Sequence, residues 1–352
     1  MASTDLTILS GTWRNAYVGG FGKKVLGDAR LTVNGADFTA KIMAQYSGGI
    51  QGNMYVRLEN TTIGSNIHGG GAKDDVRGNV EIYLGKNVSA TGIYAGNTTS
   101  GSVLGTVTVI ADGADLSGIP IHGIPQGSSG SVARAVLQLG SHMATDLTLA
   151  SSMELNLNGY DITGSLTVDG SVRAFDTATD DYTVADGVYG EITGNVTGSL
   201  VAKDGYIAAE NGFHKFGGQY ISSVSLRPGS AGLYYTATFL CDEVLLSALE
   251  TGVAVSMTDL PAADFETDGD TLYTRGTTGV LVNQILKGDG DDADRAIMDI
   301  YAASYVKLPD GTVLTSETEV AYSLYDVLLL LEEQNTEAFN RFVKDYNISG
   351  WF

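Results

Sequence analysis

The chain is poor in the features that would tie it together covalently or place it on a polyanion. Cys241 is its only cysteine, so no disulfide can form within it. Lying at the end of an apolar run, this thiol reads as a small buried hydrophobe rather than a reactive group. Five prolines among 352 residues exclude a collagen-like or proline-rich rod, although the 46 glycines are roughly double the usual share. Basic residues are scarce: 20 against 41 acidic ones give a net charge of −21, which repels a phosphate backbone or an anionic bilayer. Nucleic acid is therefore excluded as an expected partner. No run reaches the roughly 18 apolar residues of a membrane span, so membrane insertion is not expected. The segment Met1–Asp5 lacks the basic and apolar regions of a signal peptide. Leu6–Gly11 already reads as repeat interior with no polar cap before it, so the chain is expected to continue N-terminally into a longer one.

What the chain has is a repeat. A glycine precedes a short alternating run at Gly27, Gly52, Gly78 and Gly105, at spacings of 25, 26 and 27. The runs, such as Met54-Tyr55-Val56-Arg57-Leu58 and Val80-Glu81-Ile82-Tyr83-Leu84, have the period-two alternation of half-buried strands. A second marker recurs at Ile42, Ile67, Ile93 and Ile119. A unit of about 26 residues cannot bury its apolar face alone, but stacking copies at the ~4.8 Å strand spacing builds a continuous core. The expectation is a right-handed parallel β-helix, or solenoid, over residues 1–213, with glycines at corners that turn through φ > 0 beside a neighbouring coil. From about residue 131 the apolar runs crowd together, as in Leu147-Thr148-Leu149, Leu155-Asn156-Leu157 and Leu166-Thr167-Val168, which predicts shorter coils. The four-residue recurrence of Val188, Ile192, Val196 and Leu200 mimics a helix face, but Gly190, Gly194 and Gly198 favour narrow β-turns.

Residues 214–352 change character. Longer strand-like runs appear at Tyr220–Leu226, Leu233–Leu240, Val253–Met257 and Ile297–Tyr301, and Pro309-Asp310-Gly311 suits a tight hairpin. Ser323 with Asp326 resembles an N-terminal helix cap before a stripe of Val327, Leu328, Leu330 and Leu331. Phe339, Phe342, Val343 and Tyr346 predict a second helix. A small β-sandwich-like domain ending in two α-helices is expected.

Chemistry is sparse. Gly19-Gly20-Phe21-Gly22-Lys23-Lys24 fails as a phosphate loop, because Tyr17 stands where the first glycine is required and Lys24 where Ser or Thr is. No nucleophile-elbow pattern occurs, and His68, His122, His142 and His214 lack metal-ligand spacing. His68 and His122 are two repeats apart, so three of the four could share one side of the stack. Asp289, Asp291 and Asp294 form the calcium candidate: the first two match positions one and three of a calcium loop, but Ala293 breaks the fifth and Asp294 replaces the turn glycine. No other cofactor is expected. Asp74 and Asp75 with Arg77, and Asp176, Asp180 and Asp181, are the acidic clusters that a β-helical carbohydrate-active enzyme would use for calcium and proton abstraction.

The units Gly52-Asn53-Met54-Tyr55-Val56 through Ile67-His68-Gly69-Gly70-Gly71, and Leu6–Trp13, resemble the repeats of large secreted, glycine-rich, adhesin-like β-helix surface proteins of gut Firmicutes. Leu226–Thr236, with Asp294-Arg295-Ala296 and Tyr301-Ala302-Ala303, is similar to the poorly characterised module that follows those repeats. The resemblance implies a bacterial cell-surface location and a non-catalytic structural or adhesive role. The expected partner is then a polysaccharide or a host or cell-surface glycoprotein. The competing expectation is a polysaccharide lyase or tail-spike-like depolymerase.

Overall fold

The computed structural model describes residues 2–182, 188–227, 232–265, 271–275, 279–282, 285–288 and 290–352. The chain divides into two compact units, Met1–Lys215 and Phe216–Phe352.

The first unit is a parallel β-solenoid of about seven turns over residues 4–202. Strands at equivalent positions in successive coils pair in parallel. On the first face Thr4–Ile8 pairs with Ala29–Asn34, then in turn come Met54–Glu59, Val80–Leu84, Ser102–Ala111 and Ser131–Leu139. The alternation seen in sequence becomes an inward column: Leu31, Val56, Ile82, Val109, Leu137 and Leu155 stack in register and are buried. A second face carries Ile42, Ile67, Ile93, Ile121 and Leu149 in the same way. The in-register partner of Ile93 is Ile121, not Ile119, because the coil there has gained two residues over the 26-residue step.

Coil length is not constant. On the first face it is 25 from Thr4 to Ala29 and again to Met54, 26 to Val80, 27 to Val107 and 28 to Ala135. It then falls to 18 between Leu137 and Leu155 and 19 between Leu155 and Ala174, before returning to 28 at Ala202. The crowded runs after residue 131 are thus short coils. The strand Leu166–Phe175 serves both faces: its start pairs with Leu147–Ala150 and its end with Glu154–Asn156, bending between them at Gly170 (φ +86°).

Glycine is explained differently at two columns. Gly35, Asn60, Asn87 and Gly113 all have positive φ and form one left-handed corner, where Asn87 Nδ2 donates to Asn60 Oδ1 and Asn60 Nδ2 to Asn34 Oδ1, at 2.8 and 2.9 Å. Gly52, Gly78 and Gly105 lack positive φ. A Cβ on each would lie within 2.6 Å of the preceding glycine's backbone, so the constraint is close stacking rather than the expected turn conformation. Beside this column the carboxylate of Asp28 and the amide carbonyls of Asn53 and Asn79 accept the N–H of Asn53, Asn79 and Thr106, each at 2.9 Å.

The segment read as narrow turns differs from expectation. Val196–Ala202 is a strand parallel to Leu166–Phe175, kinked at Gly198 (φ +97°), because its backbone completes the ladder of the preceding coil. An antiparallel hairpin of Tyr206–Ala209 and Gly212–Lys215 follows.

The second unit holds two antiparallel sheets and C-terminal helices. Gln219–Arg227, Gly232–Phe239 and Gly279–Val282 form one sheet. Thr271–Arg275, Glu250–Ser256, Ile300–Lys307, Val313–Thr315 and Val320–Tyr322 form the other. Leu233 and Tyr235 of the first sheet share a core with Val255 and Ala302 of the second and with Leu328 and Phe342 of the helices. The buried Tyr235 hydroxyl donates to the Ile300 carbonyl at 2.8 Å. Gly311 (φ +87°) makes the expected hairpin turn. Ile297–Asp299 is not strand, since Ile297 caps the short helix Asp292–Ala296. Ser323 and Asp326 form a reciprocal capping box on helix Leu324–Gln334, and the second helix is Thr336–Asp345. Leu330 is exposed, so the buried stripe runs through Leu324, Val327 and Leu328 instead. Cys241 is buried, and burial with the nearby Asp242 pushes its thiol up to about 12. Among the described residues no helix is long and apolar enough to cross a membrane.

Candidate functional site

The residues that alternate with the buried column point outward from the first face, and the parallel register decides which of them meet. Arg30 is opposite Tyr55, and Arg57 is opposite Tyr83. Each guanidinium covers the ring of the next coil, at 4.0 Å for Arg30 on Tyr55 and 3.8 Å for Arg57 on Tyr83. Arg57 also donates to Glu59 at 2.6 Å, and Tyr83 donates to Asp112 at 2.5 Å. Hydrogen bonding to the Asp112 carboxylate holds the Tyr83 hydroxyl above its usual range. Arg30, Tyr55, Arg57 and Tyr83, together with Asp5 and Glu81, line a cleft of about 240 Å³.

Farther along the same face, where the coils shorten, a second cleft of about 240 Å³ opens. Its charged residues are Arg134, Arg173 and Glu154. Arg134 donates through Nε and Nη2 to Glu154 Oε2 at 2.9 and 2.7 Å. Lys203 Nζ stands 3.3 Å from the same oxygen, and Arg173 lies 3.8 Å from Oε1. Three cations therefore surround one carboxylate. Partial burial works to raise the Glu154 pKa, but Arg134 and Lys203 outweigh it and hold the carboxyl below its usual range. The Phe175 ring backs the cluster, with Lys203 at 4.3 Å and Arg134 at 5.5 Å.

Sequence reasoning did not find this cluster. Its members come from separate coils, at steps of 20, 19 and 30 residues that no repeat of 26 brings together. The available signal was local: Ala133-Arg134-Ala135, Met153-Glu154-Leu155 and Val172-Arg173-Ala174 each place one charge at an outward position of an apolar strand.

The residues singled out from sequence are placed otherwise. Asp289 lies outside the described residues. Asp291 caps helix Asp292–Ala296 and Asp294 lies in its first turn, while Asp292, between them, accepts the N–H groups of Lys287 and Gly288 at 2.7 and 2.8 Å and pairs with Arg295. Among the described residues no group of three or more His, Cys, Asp or Glu is placed to hold a metal ion. Asp74 and Asp75 accept the N–H groups of Gly48 and Ser102 in neighbouring coils, at 2.6 and 2.8 Å. Asp176 is fully buried and accepts three backbone N–H groups, from Gly159, Ala178 and Gly190. Burial nevertheless pushes its carboxyl above the usual range. Asp180 accepts from the Tyr206 hydroxyl and pairs with Lys215. Asp74, Asp75 and Asp176 thus each accept a backbone N–H from another coil and staple the coils together.

Two histidines share a column, not three. His68 and His122 stack on the two faces of Tyr94, with centroids 5.3 and 5.2 Å apart. His142 packs on Tyr160 and His214 on Tyr189. Comparison of the chain with protein-family models, curated proteins and solved structures finds no match.

Proposed function

We propose that this chain is a non-catalytic structural and adhesive segment of a bacterial surface protein, in which the stacked coils form a stiff spacer and the outward first face holds a glycan. One observation carries the reading. The two clefts lie on one continuous parallel ladder, so their arginines and tyrosines are fixed on strands rather than on loops. Planar guanidinium and phenol groups set at the strand spacing offer repeated polar contacts to the hydroxyls of an extended polysaccharide, with little ordering cost on the protein side. A depolymerase would instead require several free carboxylates converging near a basic group, whereas here three cations converge on one acid.

The test is incubation of the whole chain with a panel of plant, host and bacterial polysaccharides. Retention without turnover supports the reading. New reducing ends or unsaturated sugars overturn its non-catalytic part, and loss of all retention overturns its adhesive part.

A further inference from the structure

We propose that the Glu154 cleft is a subsite for an acidic sugar, with the ligand's carboxylate or sulfate seated against Arg173; this rests on the glycan-binding reading above and names the chemistry of one unit within it. Arg134 alone, through its two hydrogen bonds, gives Glu154 a complete charged partner. Arg173 and Lys203 are then in excess, leaving the cluster with two uncompensated positive charges in a chain whose net charge is −21.

Arg173 is the group with donors to offer. Its side chain is 62% exposed, and its 3.8 Å approach to Glu154 is beyond hydrogen-bond reach. Its planar fork fits two oxygens of one anionic group. The cleft beside it is lined by Ser151, Ser152 and Ser171. The Ser152 hydroxyl oxygen already accepts from Gly123 N–H at 2.9 Å, which leaves its own proton to donate. Glu154 acts as the resident anion against which the ligand competes. At physiological salt the chain's acidic background is screened beyond about 8 Å, so the local charges decide the sign that an approaching group meets.

The experiment measures affinity of the whole chain for three probes: an oligogalacturonate, the same oligosaccharide with its carboxyl groups reduced to alcohols, and a sulfated neutral oligosaccharide of equal length. The expected result is at least about tenfold tighter binding of one or both charged probes than of the reduced one, weakening as sodium chloride is raised. Preference between the charged probes tells carboxylate from sulfate. Arg173→Ala, a change at an exposed side chain, removes the difference, whereas Arg341→Ala in the second unit preserves it. Glu154→Gln tightens binding of the charged probe several-fold, an outcome that a purely structural ion cluster does not produce. Equal affinity for charged and reduced probes, or an Arg173→Ala variant that behaves like Arg341→Ala, overturns the acidic-sugar subsite while leaving glycan binding intact. No binding of any probe, together with no retention of any polysaccharide in the panel, overturns both.

Discussion

A Cβ added to Gly78 would stand 2.4 Å from the carbonyl oxygen of Gly52, one coil away. The two residues are stacked so closely that the coil spacing itself depends on the missing side chain. Gly78→Ala must push two coils apart or bend both, and the expected cost is about 2–3 kcal/mol. Gly22, whose added Cβ would meet only the Ser47 hydroxyl at 3.8 Å, supplies the control. Thermal unfolding of the solenoid should shift sharply for Gly78→Ala and little for Gly22→Ala; equal shifts would refute the stacking account.

His68 sets an acid sensitivity. Burial, aided by Lys41, lowers its pKa from 6.5 to about 4, and its Nδ1 has no hydrogen-bond partner. The folded state therefore keeps the imidazole neutral over a range in which the unfolded chain takes up a proton. Stability from this group is complete above pH 6.5 and declines as pH falls to about 4, a loss of about 3 kcal/mol in all. His68→Gln should flatten the decline in melting temperature between pH 6.5 and 5. An unchanged slope would show that His68 does not govern it.

Asp176 joins three backbone segments through one carboxylate. In Asp176→Asn the carboxamide can accept at one oxygen, but its NH₂ group would face a backbone N–H, either that of Gly190 or those of Gly159 and Ala178. The expected destabilisation is about 1–3 kcal/mol, with faster amide exchange at the abandoned donors. Unaltered exchange at Gly159, Ala178 and Gly190 would count against the staple.

Ser323 and Asp326 satisfy each other's backbone N–H at the start of helix Leu324–Gln334, at 3.1 and 3.0 Å. Ser323→Ala should cost about 1 kcal/mol. Because the cap belongs to the second unit, the loss should appear in that unit's transition and leave the solenoid's unchanged. A calorimetric scan that shifts both transitions equally would contradict this assignment.

The stacked column of Leu31, Val56, Ile82 and Val109 was legible in the chain because alternation and a period near 26 both report burial of one strand face. The capping box was legible because Ser and Asp three residues apart act locally. The role of the acidic clusters was not legible, since a carboxylate that accepts a backbone N–H of the next coil looks in sequence like any other. Asp74, Asp75 and Asp176 are of that kind.

By itself, then, the order of residues determined that coils would stack, which side chains would face inward and where glycine was obligatory, because these depend on short-range pattern and on a period repeated many times. Only the tertiary structure decided that Arg134, Glu154, Arg173 and Lys203 would meet. Their encounter depends on coil length falling from 28 to 18 and 19 and then returning to 28. A change of register of that kind has no local signature: each residue's neighbour across the ladder is set by how much chain the intervening turns take up.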